Sequence, residues 1–223
     1  MSLPVNLRMP ERRQPLRNVP LGVASDGVHE ALWQALSTGA PGASHAVWQA
    51  FWPGVRGLLR RLLGPDAETQ DLAQEVFLRF FQRSARVTAG VFLKPFLFGI
   101  CTRVAQEEMR RRRIHRWLSL TSSGVLPEGA WSTEDSGARE AVRNLYRLLE
   151  RLGPSDRSLF VLRFIEKLEL TEVAEIQALS FSTARRRIDR VWKRMRRLIE
   201  KDETLLAYLR PDEREGRGDF NDR

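Results

Sequence analysis

The sequence predicts an all-α protein: two small helical domains joined by a flexible polar linker. Three observations carry this. The strongly patterned segments repeat their apolar residues at spacings of three and four, and none alternates with period two for long. A polar, mildly acidic stretch from about Leu118 to Gly137 divides those segments into two groups. Positive charge gathers in two clusters, one in each group.

Residues 1–28 carry Pro4, Pro10, Pro15 and Pro20 among scattered arginines, without periodicity, and are expected to form a flexible extension. From His29, residues Ala31, Leu32, Ala35 and Leu36 make a short helical stripe that Gly39-Ala40-Pro41-Gly42 breaks. A second stripe runs through Val47, Trp48, Phe51, Trp52, Val55, Leu58, Leu59, Leu62 and Leu63. Pro53 lies inside it and Gly64-Pro65 ends it. The third helix is expected over Glu68 to Arg83: Leu72, Ala73, Val76, Phe77, Phe80 and Phe81 share one side, and Asp71 and Glu75 the other. After a loop around 85–90, Phe92 to Ile100 leads into a basic helix ending near Arg110–Arg113 and Trp117. The first domain is thus placed at 29–117 and the linker at 118–138.

The second domain, 139–200, opens with Val142, Leu145, Leu148, Leu149 and Leu152, stopped by Gly153-Pro154. Leu159, Phe160, Leu162 and Phe164 follow, with a break near 166–168. A short helix from Thr171 to Ala178 and a turn through Leu179–Phe181 come next. The last helix is long: Phe181, Ala184, Ile188, Val191, Met195 and Leu198 step by three and four as one apolar stripe. The tail, 201–223, holds Pro211, Gly216 and Gly218 and is expected to be loose.

Lys and Arg number 37 against 28 Asp and Glu, a net charge of +9. Phe181–Glu200 holds eight basic residues against Asp189 and Glu200, a net +6. Arg103–Arg116 holds six against Glu107 and Glu108, a net +4, so the rest of the chain nets −1. A chain with two basic patches on a nearly neutral body suits a polyanion gripped at two points, or an anionic membrane surface. No apolar run approaches the ~20 residues of a spanning helix, and the N-terminus lacks the basic-then-apolar pattern of a signal peptide. Cys101 is the one cysteine, which excludes an internal disulfide and points to a reducing, cytoplasmic setting. His29, His45 and His115 have no partner at metal-ligand spacing, and no phosphate loop or nucleophile elbow occurs. Adjacent Glu107 and Glu108 fall on different helix faces. A binding protein without metal or cofactor, and not an enzyme, is expected.

Residues 171–199 read as a helix-turn-helix, in which the second helix enters a major groove while the first braces it. Ser180 or Ser182 can cap that second helix, and Ala178 sits where the turn often has glycine. Ser182, Thr183, Arg185, Arg186, Arg187 and Arg190 are the candidate DNA-binding residues: arginine can pair bidentately with guanine, and the hydroxyls can meet bases or phosphates.

At this point the chain resembles a known family. Asp71-Leu72-Ala73-Gln74-Glu75-Val76-Phe77-Leu78-Arg79 is similar to the signature helix of bacterial RNA polymerase sigma factors. Phe96-Leu97-Phe98-Gly99-Ile100 and Arg110–Arg113 are similar to the rest of their second region. Leu152-Gly153-Pro154 through Leu162-Arg163-Phe164, then Leu170 through Ile176, are similar to their fourth region. With only these two regions, the chain looks like the small extracytoplasmic-function group. The resemblance implies that Asp71, Gln74, Glu75 and Phe77 dock on core polymerase, at the clamp helices of its largest subunit, β′; the β subunit completes that core. It implies that Phe96, Arg103, Glu107, Arg110, Arg111, Arg112 and Arg113 face the −10 element of promoter DNA, opening the duplex and holding an unstacked base. It also implies that the last helix reads the −35 element, and that Glu128, Glu134 and Asp135 of the linker lie near the template or RNA path. Members are often held by an anti-sigma factor, which makes one a candidate partner; membrane insertion is not expected.

The chain also departs from the pattern. Phe96 stands where many members have tryptophan, Gly99 and Thr102 where arginine is frequent, and Arg103 where asparagine is usual. These departures imply an unusual −10 preference or weakened melting. Two other readings compete with the promoter-specificity subunit: a stand-alone helix-turn-helix regulator, and a degenerate module that occupies polymerase without initiating.

Overall fold

The computed structural model describes residues 26–64, 67–84, 93–122 and 136–209. They form nine α-helices with no strand among the described residues. Four belong to the first half: α1 (Asp26–Ser37), α2 (Ala43–Leu63), α3 (Gln70–Ser84) and α4 (Leu93–Ser122). The second half holds α5 (Ser136–Glu150), α6 (Pro154–Phe160), α7 (Leu170–Ile176), α8 (Phe181–Ile199) and α9 (Glu203–Leu209). A π-helical turn, Val161–Ile165, extends α6.

In the first half α2, α3 and α4 pack on one another, with α1 across α2 and α4. The stripes read from the sequence supply the core: Val47, Phe51, Val55, Leu58 and Leu62 of α2 meet Ala73, Val76 and Phe80 of α3 and Leu97, Ile100 and Val104 of α4. Continuous through Pro53, α2 approaches α4 so closely that a Cβ on Gly54 would lie 3.3 Å from the Phe98 ring. In the second half α8 lies across α6 and α7, burying Ala184, Ile188, Val191, Met195 and Ile199, while Trp192 stacks on Phe164 at 4.9 Å.

Three boundaries differ from the sequence reading. Among the described residues the first helix starts at Asp26, just before His29. Helix α4 runs on to Ser122, five residues into the stretch assigned to the linker. The tail is not loose throughout: α9 packs on α5, with Leu205 buried. Seven residues are too few to hold a helix in water alone. Asp202 supplies the start, its Oδ1 accepting from the Leu205 N–H at 3.0 Å and from Asn144 Nδ2 of α5 at 3.2 Å. Most of the expected extension, most of the linker with its three acidic residues, and the last residues of the tail lie outside the described residues.

The halves on either side of the linker do not stand apart, and their buried apolar residues form one contiguous cluster. Helix α4 packs against both α6 and α7. Arg61 of α2 pairs with Glu166 after the π-helical turn. Lys94 donates to Glu172 at 2.8 Å, and Gln106 Nε2 to Ser158 Oγ at 3.1 Å and Gln177 Oε1 at 3.3 Å. The Tyr146 hydroxyl donates to the Arg61 carbonyl at 3.3 Å.

Candidate nucleic-acid interface and docking face

Helix α7 begins with a reciprocal cap, in which the Glu172 side chain accepts from the Glu169 N–H at 3.0 Å. It ends through Ala178, which adopts φ +51°, the left-handed conformation that makes glycine common at this place in a turn. Ser180 then caps α8: its Oγ accepts from the Thr183 N–H at 3.3 Å and donates to Thr183 Oγ1 at 2.8 Å. Ser180, rather than Ser182, is therefore the cap.

Opposite the buried stripe of α8, Ser182, Arg185, Arg186 and Arg190 are exposed, with no pairing partner for these three arginines among the described residues. Thr183 is half-buried and engaged by the cap. Arg187 is held: its Nη2 donates to Ser155 Oγ at 2.9 Å and Asp156 Oδ1 at 3.0 Å on α6. Periodicity places Phe181 in the buried stripe, yet it is 51% exposed. It occupies the first position of the helix, three residues before buried Ala184.

On α4, Arg103, Glu107 and Arg110 are exposed along one face. Glu107 is not bare: it accepts from Arg79 Nη1 of α3 at 2.7 Å, and Arg79 Nε donates to Glu75 at 2.6 Å. Hydrogen bonds to Glu107 and then Glu75 hold the Arg79 guanidinium above its ordinary range. Glu108 points the other way and is buried, taking the Nε of Arg111 and of Arg112, each at 2.7 Å. Burial pushes its carboxyl up, but these arginine hydrogen bonds prevail and hold it below the usual carboxylate range. Arg111 and Arg113 remain exposed, and Arg112 is half-buried.

The start of α4 departs from expectation. Phe96 is half-buried, its ring 5.7 Å from Phe80 and 6.2 Å from Trp33, so part of it is engaged in packing within the first half. Gly99 and Thr102 lie under α7 or inside the helix packing. Thr102 is 1% exposed, and a Cβ on Gly99 would come 3.0 Å from the Ile176 carbonyl oxygen. The small residues at these positions are what let α7 sit on α4.

On α3, Asp71 and Gln74 are exposed and Glu75 half so, as a docking face requires. Phe77 is a correction: 1% exposed and 4.6 Å from Trp48, it belongs to the core. Leu78, 54% exposed, takes its place on the outer face. Its spacing of seven, four and three from Asp71, Gln74 and Glu75 could have found it. Arg79, whose partners come from both helices, ties α3 to α4.

Among the described residues no group of side chains could hold a metal ion, and no helix is long and apolar enough to cross a membrane.

Comparison with known proteins gives the class. Residues 47–114 match Sigma-70 region 2 and residues 148–197 match Sigma-70, region 4, together more than half of the chain. The chain is 27% identical over 156 residues to the RNA polymerase sigma factor CarQ of Myxococcus xanthus, covering 70% of this chain and 88% of CarQ. To the ECF RNA polymerase sigma factor SigW of Bacillus subtilis it is 25% identical over 156 residues, covering 64% and 81%. The fold is similar to that of CnrH, solved in complex with the cytosolic domain of CnrY, with a TM-score of 0.57 at 17% identity over 78% of this chain and 99% of that one. The chain belongs to the sigma-70 family, as a sigma factor of the extracytoplasmic-function type. Its partners are core RNA polymerase and promoter DNA, and its task is promoter-specific initiation of transcription.

Proposed function

We propose that this sigma factor divides its work as 29–117 for polymerase and the −10 element and 139–200 for the −35 element. Asp71, Gln74, Glu75 and Leu78 dock on core polymerase. The exposed part of α4, with Arg103, Glu107 and Arg110–Arg113, lies along −10 DNA, while Phe96 holds the start of that helix through its packing. Ser182, Arg185, Arg186 and Arg190 read −35 DNA, with Arg187 braced on Asp156 beside a phosphate. The protein acts in the cytoplasm and adds no catalytic group of its own; bond making belongs to the polymerase.

The observation that carries this reading is α8, sealed along one stripe and lined with exposed arginines along the other, directly after a capped turn. The stand-alone regulator is not favoured, because the region 2 match spans most of α2 through α4. The −10 and −35 elements lie about 25 base pairs apart, roughly 85 Å of duplex at ~3.4 Å per pair. Gln106 of α4 is hydrogen-bonded to Gln177, just before α8. Engaging both elements at once therefore requires α4 and α7 to part. An anti-sigma factor is proposed as a further partner, as the family resemblance implies; CnrH, similar in fold, was solved with the cytosolic domain of CnrY bound.

Transcription in vitro tests the reading: the purified chain, sigma-free core polymerase and a library of genomic fragments, with start sites mapped. Discrete starts sharing two upstream elements are expected. Polymerase binding without transcripts would support the degenerate module instead.

A further inference from the structure

Four large apolar side chains stand exposed among the described residues: Val28, Leu78, Ile114 and Phe181. Leu78 belongs to the proposed docking face, and Phe181 stands at the tip of the helix proposed to read DNA. We infer that Phe181 is a specificity-determining residue, packing on the C5-methyl group of a thymine in the −35 element. This rests on the assignment of α8 to that element.

The geometry singles out this side chain. In an α-helix the Cα–Cβ bonds tilt toward the N-terminus, so a residue at the first position overhangs the tip. That tip is the part of a recognition helix that goes deepest into a major groove. Ser180 Oγ is taken up by the cap: it bonds to Thr183 N and Oγ1 and lies 3.3 Å from Ser182 Oγ. The exposed side chains left to meet base edges at the tip are Phe181, Ser182 and, four residues on from Phe181, Arg185, and of these only Phe181 is apolar. A half-exposed phenyl ring costs free energy in water, and it forms no part of the core. The thymine methyl is the one apolar group that a base pair offers in the major groove, and phenylalanine is among the side chains that pack on it.

The spacing fixes a second feature. Four residues of helix rise about 6 Å, against ~3.4 Å per base pair. Arg185 can pair bidentately with guanine. The −35 element should therefore carry a thymine that Phe181 reads, one or two base pairs from a guanine that Arg185 reads.

The test uses holoenzyme assembled from the full chain and core polymerase. Holoenzymes carrying the wild type, Phe181→Ala, Phe181→Leu or Arg185→Ala are selected on a promoter library randomised upstream. On the best promoter each thymine of the −35 element is then replaced by deoxyuridine, which lacks only the methyl group. The wild type should select one thymine more strongly than Phe181→Ala does. At that position deoxyuridine should weaken it about fourfold, the worth of one buried methyl. Phe181→Ala should show no such penalty and Phe181→Leu a reduced one, with thermal unfolding unchanged for both. Undiminished thymine selection by Phe181→Ala would overturn the proposal. So would equal weakening on all sequences, or a loss of polymerase affinity, which would make Phe181 a protein contact. If Arg185→Ala also leaves upstream selection untouched, the assignment of α8 falls, and not the role of Phe181 alone.

Discussion

Arg61, near the end of α2, and Glu166, 105 residues later, form an ion pair across the two halves with 6% and 5% of their side chains exposed. Two hydrogen bonds join them, one from Nε and one from Nη2 at 2.9 Å. A charge so deeply covered is costly without its partner. Glu166→Gln is expected to weaken the docked state by about 3–5 kcal/mol. Amide hydrogen exchange should rise in α7 and the first turns of α4. The double change Arg61→Met with Glu166→Leu should restore most of the protection, since an apolar pair of similar volume is no worse than a buried ion pair.

Gly99 offers a separate handle on the same contact. Any β-carbon there meets the Ile176 carbonyl oxygen at 3.0 Å, which is backbone and cannot swing aside. Gly99→Arg is expected to part α4 from α7 while each half stays folded. Small-angle scattering should show a larger radius of gyration with unchanged helix content. An unchanged radius would mean that α7 shifts to make room.

The Lys94–Glu172 bridge makes the docking sensitive to acid. Burial pushes the Glu172 carboxyl up, but the hydrogen bonds from Lys94 and the Glu169 N–H prevail and hold it below the usual carboxylate range. A depressed carboxyl stabilises fully above its unfolded pKa, and that contribution is lost as the pH falls through the folded one. The halves should thus loosen only as the pH falls below the ordinary carboxylate range. Glu172→Gln should remove this part of the pH dependence, as followed by scattering across a titration.

On DNA, Arg186 and Arg187 should behave differently although they are neighbours. Arg186 is free to reach a base, and Arg186→Ala should cost about 1–3 kcal/mol on the matched −35 sequence if its contact is bidentate. Arg187 is tied to Asp156, so Arg187→Ala should weaken matched and scrambled sequences alike. Competition binding of the holoenzyme on the two duplexes separates these outcomes.

On α3, adjacent residues should separate binding from stability. Leu78→Glu is expected to cut core polymerase affinity tenfold or more with unfolding unchanged, because Leu78 faces solvent. Phe77→Ala should instead destabilise the fold by about 3–5 kcal/mol through the cavity it leaves. Urea unfolding and a polymerase pull-down read the two effects.

The helices were legible because their apolar residues repeat with the period of the helix, as Ala184, Ile188, Val191 and Met195 show. The turn was legible because Ala178 and Ser180 each meet a local backbone need. Contacts between elements were not. Nothing in the local pattern around Arg61 points to Glu166, and periodicity cannot say that Phe181, at the first position of α8, is left exposed. Nor could it tell that Phe77, one position from exposed Leu78, faces inward on Trp48. Gly99 and Thr102, read from the sequence as departures on the −10 face, have packing reasons that only the assembled helices reveal: Gly99 lies against Ile176 of α7 and Thr102 is buried.

The single thiol of Cys101 lies at 0% exposure, and burial pushes it well above the ordinary thiol range. It should ignore maleimides while α2 and α4 stay packed. Dyes can therefore be attached at cysteines introduced on α3 and α8 without first removing it. The distance between those dyes would follow the parting of the halves in a single molecule as polymerase and promoter arrive.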